Sequence, residues 1–94
     1  MHTTKALLYA SKLAKRNYLN TGESYTLALL ITALMDGGER RPNLDRNVLY
    51  AISTLSKSSI DAHLRALGKR HIVRRDGDTV FFDYSLIEPM AMPV

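Results

Sequence analysis

The stretch that decides the fold runs from Ser56 to Tyr84 and reads SKSSIDAHLRALGKRHIVRRDGDTVFFDY. Ser56 is a typical N-cap residue, and the pattern after it predicts a helix from Lys57 to about Arg70. An Asp-Gly pair between two runs rich in β-branched and aromatic residues predicts a tight hairpin turn at 75–78. We therefore expect a polar-capped helix, a short turn and a basic two-stranded hairpin.

Apolar and polar residues fall on separate faces of these two elements. Helical spacing turns one set of residues of the predicted helix toward the core, namely Ile60, Leu64 and Leu67. The same spacing leaves a polar outer face that consists of Lys57, Ser58, Asp61 and Arg65. On the return strand, the more apolar alternating set is expected to face inward, namely Val80, Phe82 and Tyr84.

A first helix is predicted from Thr3 or Thr4 to about Asn20. Its apolar stripe, with intervals of three and four residues, consists of Leu7, Ala10, Ala14 and Tyr18. Leu8 and Leu19 fall outside this stripe, and leucines exposed on a second face suit a partner surface. Singly exposed leucines are also common in monomers. Dimerisation through residues 3–20 and packing of this helix wholly onto its own domain are both open.

Two more helices are predicted before Ser56. The first, from Tyr25 to Asp36 behind a Ser24 cap, is apolar nearly all round and should be the buried central helix. Gly37-Gly38 should end it, and residues 39–43 are expected to form a polar loop. The other helix runs from Asp45 to about Thr54, and its expected inward face consists of Val48, Leu49 and Ile52.

Composition indicates one small folded domain over residues 1–94. The chain is 46% hydrophobic, which is ample for a core, and it has no cysteine for a disulfide or a thiolate-bound metal. The most apolar segment, 27–35, is too short to cross a bilayer, and the N-terminus does not resemble a secretory signal. We expect a cytoplasmic protein without a membrane partner, with a loose tail at 88–94.

The net charge of +4 is unevenly distributed along the chain. Residues 1–20 carry four positive groups and no acid, and residues 40–75 carry nine positive groups against Asp45 and Asp61. The second basic block coincides with the helix, turn and hairpin, as a surface for nucleic-acid phosphates requires. A soluble surface that is basic without such a ligand is the alternative.

Residues 55–78, LSKSSIDAHLRALGKRHIVRRDGD, resemble the core of bacterial winged helix-turn-helix transcription regulators of the MarR and ArsR kind. The resemblance rests on a Leu-Ser pair closing the turn, the apolar spine of the helix, and the apolar-plus-basic strand at 72–75. It covers about a quarter of the chain closely and residues 24–86 loosely. It implies a winged-helix core over 24–86, mostly α with a small antiparallel β-hairpin, and a sequence-specific regulator of transcription that acts on double-stranded DNA, with repression as the expected mode. A bacterium, a phage or a plasmid would encode it.

The resemblance also implies which residues meet DNA. Base edges in the major groove would be read by Lys57, Ser58, Asp61 and Arg65. Phosphate and wing contacts would come from Ser56, Ser59, Arg40, Arg41, Arg46, Arg74, Arg75 and Gly77. Lys69 and Arg70 either contact phosphate or favour the helix dipole. For Arg65, reading a guanine and pairing with Asp61 are equally open.

Several residues bear on functions other than transcription regulation. Asp61, Asp76 and Asp78 lie on or near the expected contact surface, and they keep open a winged-helix module that binds protein. Binding at a replication origin or in plasmid maintenance is a further alternative. The sequence contains no Gly-rich phosphate-binding loop after a strand and no pair of carboxylates at a cleft-like spacing. Neither an enzyme nor a cofactor is therefore expected. No metal is expected, since His2, His63 and His71 lack ligand partners at a useful spacing, and His63 should pack on the hairpin or the third helix.

Overall fold

The computed structural model describes residues 2–87, with side chains from residue 4 onward. Four α-helices lie in this range: α1 (His2–Asn17), α2 (Thr21–Leu34), α3 (Arg46–Ile52) and α4 (Lys57–Lys69). Three strands form one antiparallel sheet: β1 (Asn43–Asp45), β2 (Val73–Asp76) and β3 (Thr79–Phe82). The α+β class, mostly helical with a small antiparallel sheet, is confirmed. The tail predicted at 88–94 lies outside the described residues.

Helix α4 forms as the sequence predicts. The Ser56 side chain accepts a hydrogen bond from the backbone N–H of Ser59 at 3.2 Å and so satisfies one free donor of the first turn. The inward spine, Ile60, Leu64 and Leu67, is fully buried. Its contacts with α2 and β2 make α4 one wall of the core and leave its opposite face to solvent.

Helix α2 begins four residues before the predicted start at Tyr25. Asn20 caps it: the Asn20 side chain accepts from the Glu23 N–H at 2.8 Å, and the Glu23 carboxylate accepts from the Asn20 N–H at 3.1 Å. Ser24, the predicted cap, lies inside the first turn and donates to the Asn20 carbonyl. The central position is confirmed, since the buried residues of α2 are Thr26, Leu27, Leu30, Ile31 and Leu34.

The apolar stripe predicted for α1 is confirmed at Ala10, is partly buried at Ala14 and is wrong at Leu7 and Tyr18. The residues that α1 buries are Ala6, Tyr9, Ala10 and Leu13, whereas Leu7 is 50% and Tyr18 is 88% exposed. Leu8 is 53% exposed as expected, but Leu19 is partly buried against the core. Two apolar stripes run side by side on this helix, and the one with Tyr9 and Leu13 is buried in the core. The sequence does not state which stripe a neighbour covers.

A third strand, which the sequence does not predict, follows the predicted polar loop at residues 39–43 and overlaps it only at Asn43. Strand β1 begins at Asn43 and pairs with β3, with Leu44 opposite Val80, so the sheet order is β1-β3-β2. Three residues are too few for an alternating pattern to be detected in the sequence. The hairpin of β2 and β3 is confirmed, with Val73 opposite Phe82. Of the predicted inward set, Val80 and Phe82 are buried, and Tyr84 is partly buried.

Helix α3 begins at Arg46, one residue after the predicted start at Asp45. Asp45 caps it, since the Asp45 side chain accepts from the Asn47 N–H at 2.9 Å. It ends at Ile52 instead of Thr54. Of the predicted inward face only Leu49 is buried, whereas Val48 is 38% and Ile52 is 48% exposed. A seven-residue helix makes two turns, and its contacts with α2, α4 and β1 bury one apolar position.

Candidate nucleic-acid interface

The outer face of α4 carries polar and small side chains at helical spacing. Lys57, Ser58, Ala62 and Arg65 are exposed on this face. Within the described residues, Arg65 takes part in no hydrogen bond or ion pair. Asp61 lies on the same face but is only partly exposed. Of the two alternatives for Arg65, the pair with Asp61 is not formed within the described residues.

Asp61 is held by α3 and not by Arg65. The Tyr50 hydroxyl donates to Asp61 Oδ1 at 2.5 Å, and Arg46 Nη1 donates to the same oxygen at 3.4 Å. Both partners come from α3, so Asp61 links the two helices on either side of the turn. A carboxylate that accepts from two donors has less capacity to accept from a base. Residue spacing within α4 contains no signal for this contact, because the partners come from another helix.

Arg46 joins three elements at the first position of α3. Its Nη2 donates to Asp78 Oδ1 at 2.6 Å, and its backbone N–H donates to the Asp78 carbonyl at 2.7 Å. With the contact to Asp61, the guanidinium connects α3, α4 and the hairpin turn. Its Nε is buried and has no hydrogen-bond partner in the described part of the chain. Arg46 was predicted as a phosphate contact, and its guanidinium here holds two carboxylates.

Two positive side chains lie over the Tyr50 ring. The Cζ of Arg46 lies 5.6 Å and the Nζ of Lys57 lies 5.5 Å from the ring centroid, within the range of cation–π attraction. Burial and then the bond to Asp61 raise the pKa of Tyr50, while the charges of Arg46 and Arg75 act in the opposite direction. The phenol therefore stays a hydrogen-bond donor at neutral pH.

The two consecutive arginines of β2 lie on opposite faces of the sheet. Arg75 is opposite Val80, a buried residue, and therefore shares the face that meets the helices. Arg74 is opposite Phe81 on the outer face, where its Cζ lies 4.1 Å from the Phe81 ring centroid. Both are exposed, but only Arg75 lies on the face of the hairpin that meets the helices, where its charge acts on the pKa of Tyr50 in α3.

Arg40 and Arg41 lie at the other end of the sheet from the hairpin turn. Because β1 runs antiparallel to β3, the residues before Asn43 lie near the end of β3 and the residues after it. The Cζ of Arg40 is 5.4 Å from the Tyr84 ring centroid, and the Tyr84 hydroxyl donates to the Arg41 carbonyl at 2.7 Å. The predicted phosphate contacts therefore do not form one cluster.

The remaining predicted contacts lie at the start of α4 and at the tip of the hairpin. Ser56 is exposed at the start of α4, and its hydroxyl donates to the partly buried Ser59 hydroxyl at 3.0 Å. Gly77 lies at the exposed tip of the hairpin with φ of 61°, a left-handed conformation that favours glycine. Lys69 and Arg70, at the end of α4, are exposed as well.

His63 packs on α2, so the prediction that it meets the hairpin or α3 is wrong. Its Nδ1 lies 2.8 Å from the hydroxyl of Thr26, which is fully buried. Its ring also covers Gly22, where an added Cβ would lie 2.5 Å from Nε2. The contact fixes the middle of α4 to the first turns of α2. Only the long-range packing of the two helices reveals it.

The described residues contain no cluster of three or more His, Cys, Asp or Glu side chains suited to a metal ion. Among the helices of residues 2–87, none has the length and apolar character needed to cross a membrane. Comparison of the chain with protein-family models, with curated proteins and with solved structures finds no match. The surface around α4 and the hairpin must therefore be interpreted from its own chemistry.

Proposed function

We propose that this chain is a winged helix-turn-helix protein that binds double-stranded DNA as a regulator of transcription. In this proposal α4 is the recognition helix in the major groove, and the hairpin of β2 and β3 is the wing on the flanking backbone. The order of α3, a turn at 53–56, α4 and a two-stranded hairpin supports it. Pairing of β1 with β3 would hold the wing in a fixed position beside α4.

The observation that carries the proposal is the charge that is left unpaired on the α4 side of the molecule. Lys57, Arg65 and Arg75 are exposed there, and none forms an ion pair within the described residues. The nearby carboxylates of Asp61 and Asp78 are both engaged by Arg46. A helix surface with free cations and paired acids suits a polyanion.

Salt dependence of binding tests the proposal most directly. If about five phosphates are neutralised, the slope of log K against log salt should be about −4 to −5. Fluorescence anisotropy with a labelled duplex at several salt concentrations measures this slope. A flat response would contradict DNA binding. Failure to bind any duplex at low salt, with a protein captured through the same surface, would favour the protein-binding module.

The two arginines of β2 offer a matched pair of variants for the geometry. Arg75→Ala should weaken duplex binding and make the salt slope shallower by about 0.9, since one phosphate contact is lost. Arg74→Ala removes the same charge from the outer face and should have the smaller effect. Equal losses from the two variants would show that the proposed face is wrong, while the proposal of DNA binding would stand.

Specificity should come from the exposed side chains of α4. Arg65 is unpaired and long enough to reach a guanine edge, a contact worth about 1–3 kcal/mol of discrimination. Selection of bound duplexes from a random library would define the preferred site. Arg65→Ala should then relax the preference at one base pair while binding to unrelated duplex changes less. An unchanged preference would assign base reading to other residues.

We further propose a homodimer through the exposed face of α1. A dimer that occupies two successive half-sites needs its recognition helices about 34 Å apart. Leu7 and Tyr18 line a groove between α1 and α2 and are 50% and 88% exposed. Leu7→Glu should convert dimer to monomer in gel filtration with light scattering. Ile52→Glu is the control, because Ile52 is 48% exposed on α3. A dimer that survives Leu7→Glu would exclude this interface, and an inverted repeat among the selected duplexes would support two-fold symmetry.

A further inference from the structure

The hairpin turn carries two carboxylates whose surroundings differ. Asp76 and Asp78 flank Gly77, and both are exposed. Asp78 forms an ion pair with Arg46 at 2.6 Å, whereas Asp76 forms none within the described residues. The side chain of Asp78 is 62% exposed and that of Arg46 is 20% exposed. One partner of this pair is thus well solvated and the other is held in place.

Such a pair is easily exchanged for another anion. Release of Asp78 costs little on the carboxylate side, because water solvates a carboxylate that is 62% exposed, and an incoming phosphate keeps the Arg46 guanidinium paired. Arg46 would stay in position, since Asp61 holds its Nη1 and its Cζ lies over the Tyr50 ring. The Arg46 Nη2 that Asp78 now occupies would then be available to a phosphate oxygen, to which guanidinium bonds strongly.

The wing does not depend on this side-chain pair. The backbone N–H of Arg46 donates to the Asp78 carbonyl at 2.7 Å, a bond that does not involve the Asp78 side chain. Pairing of Asp45 with Thr79 holds the adjacent position of β3. Asp61 differs from Asp78, because it is more buried and accepts from two donors. Exchange is therefore expected at Asp78 and not at Asp61.

We propose that Arg46 and Lys57, which lie over the Tyr50 ring, form one binding site for a DNA backbone phosphate together with Arg75 on the adjacent face of the hairpin, and that Asp78 is paired with the central cation, Arg46, in the free protein. The inference rests on the proposed function and adds to it a competition between the Asp78 carboxylate and a DNA phosphate for Arg46. Asp78 would lower the affinity for every duplex alike, because phosphates carry no sequence information. It would thereby reduce non-specific binding and leave base reading by α4 unchanged.

Two substitutions in the same turn test the competition. Asp78→Asn and Asp76→Asn remove the same charge, but only the first releases Arg46 from its ion pair. Without the competing carboxylate, Arg46 can neutralise a phosphate in every complex, which raises affinity by up to about five-fold at about 0.15 M salt and steepens the salt slope by up to about 0.9. We expect this change for Asp78→Asn on an unrelated duplex. Asp76→Asn should show a smaller gain, from general charge alone, that fades with screening.

A third variant shows whether the gain in duplex affinity depends on the Arg46 guanidinium. In an Arg46→Met background, Asp78→Asn should give only the gain seen with Asp76→Asn, because no cation is left to release. Circular dichroism and thermal melting would establish that each variant is folded. Should the Arg46→Met protein fail to fold, the comparison of the two asparagine variants in the wild-type background decides the question.

The possible results separate this inference from the function on which it rests. Equal gains from Asp78→Asn and Asp76→Asn, or a loss of affinity with Asp78→Asn, would overturn the competition while DNA binding stands. A wild-type protein that binds no duplex at low salt would overturn both. A larger gain and steeper slope for Asp78→Asn alone supports the site.

Discussion

Replacement of Gly22 by Ala should destabilise the protein, although alanine is the better helix former. A Cβ at this position would lie 2.5 Å from Nε2 and 2.8 Å from Cε1 of His63, distances that real contacts do not reach. The imidazole would have to move, and it bonds the hydroxyl of Thr26 at 2.8 Å. Thr26 is fully buried, so no water would replace the lost partner.

The expected magnitude follows from opposing effects. Overpacking typically costs about 1–3 kcal/mol, and an unsatisfied buried hydroxyl costs about 1–3 kcal/mol when no other acceptor or donor is found. The helix preference for alanine over glycine acts in the other direction by at most about 1 kcal/mol. We expect a net loss of about 1–5 kcal/mol in the free energy of unfolding. The interhelical contact therefore outweighs local propensity at this position.

Urea denaturation in two backgrounds measures this balance. In a His63→Ala background the obstructing ring is gone, and Gly22→Ala should stabilise the protein by up to about 1 kcal/mol. Gly68→Ala provides a control in α4, because its Cβ would meet only the Val73 carbonyl at an ordinary 3.8 Å. That control should be neutral or stabilising. Equal destabilisation by Gly22→Ala with and without the imidazole would refute the reasoning.

Three further changes test the parts of the site separately. Ser56→Ala should cost about 1 kcal/mol of stability in chemical denaturation through loss of the α4 cap, whereas the exposed Ser58→Ala should change it by no more than about 0.5 kcal/mol. Leu64→Ala should cost about 2–5 kcal/mol in the same assay, and the half-exposed Leu8→Ala much less; comparable losses would contradict the observed core. The pKa of Tyr50 is raised above 10.0 in the folded state, so its contribution to stability is present below pH 10 and is lost as pH rises further. The melting temperature should therefore fall more steeply with pH above pH 10 for the wild type than for Tyr50→Phe. An equal fall for both proteins would contradict a stabilising role for the partly buried Tyr50 hydroxyl.

Elements with strong local signals could be predicted from the sequence. The Ser56 cap, the apolar spine of α4 and the Asp-Gly turn each depend on residues within a few positions of one another. Local backbone preference and helical periodicity decide such features before any long-range contact forms. The prediction of helix, turn and hairpin therefore agrees with the structure over Ser56–Phe82.

Features that need a distant partner were missed or misjudged. Strand β1 exists because β3 offers it a free edge, and three residues alone do not signal a strand. The buried stripe of α1 depends on which side α2 covers. His63 reaches Thr26 across 37 positions of the sequence, and Arg46 reaches Asp78 across 32. Hydrophobic periodicity along the sequence does not indicate contacts between residues so far apart in the chain.

The sequence by itself determined the basic face of α4, its capped start and the hairpin that follows, because these depend on neighbouring residues and side-chain direction along one element. Only the tertiary structure decided which charges on that surface stay free. Arg46 holds Asp61 and Asp78, and Arg75 faces the helices while Arg74 does not. Ion pairs between separate elements depend on how those elements pack, and packing is a property of the whole folded chain.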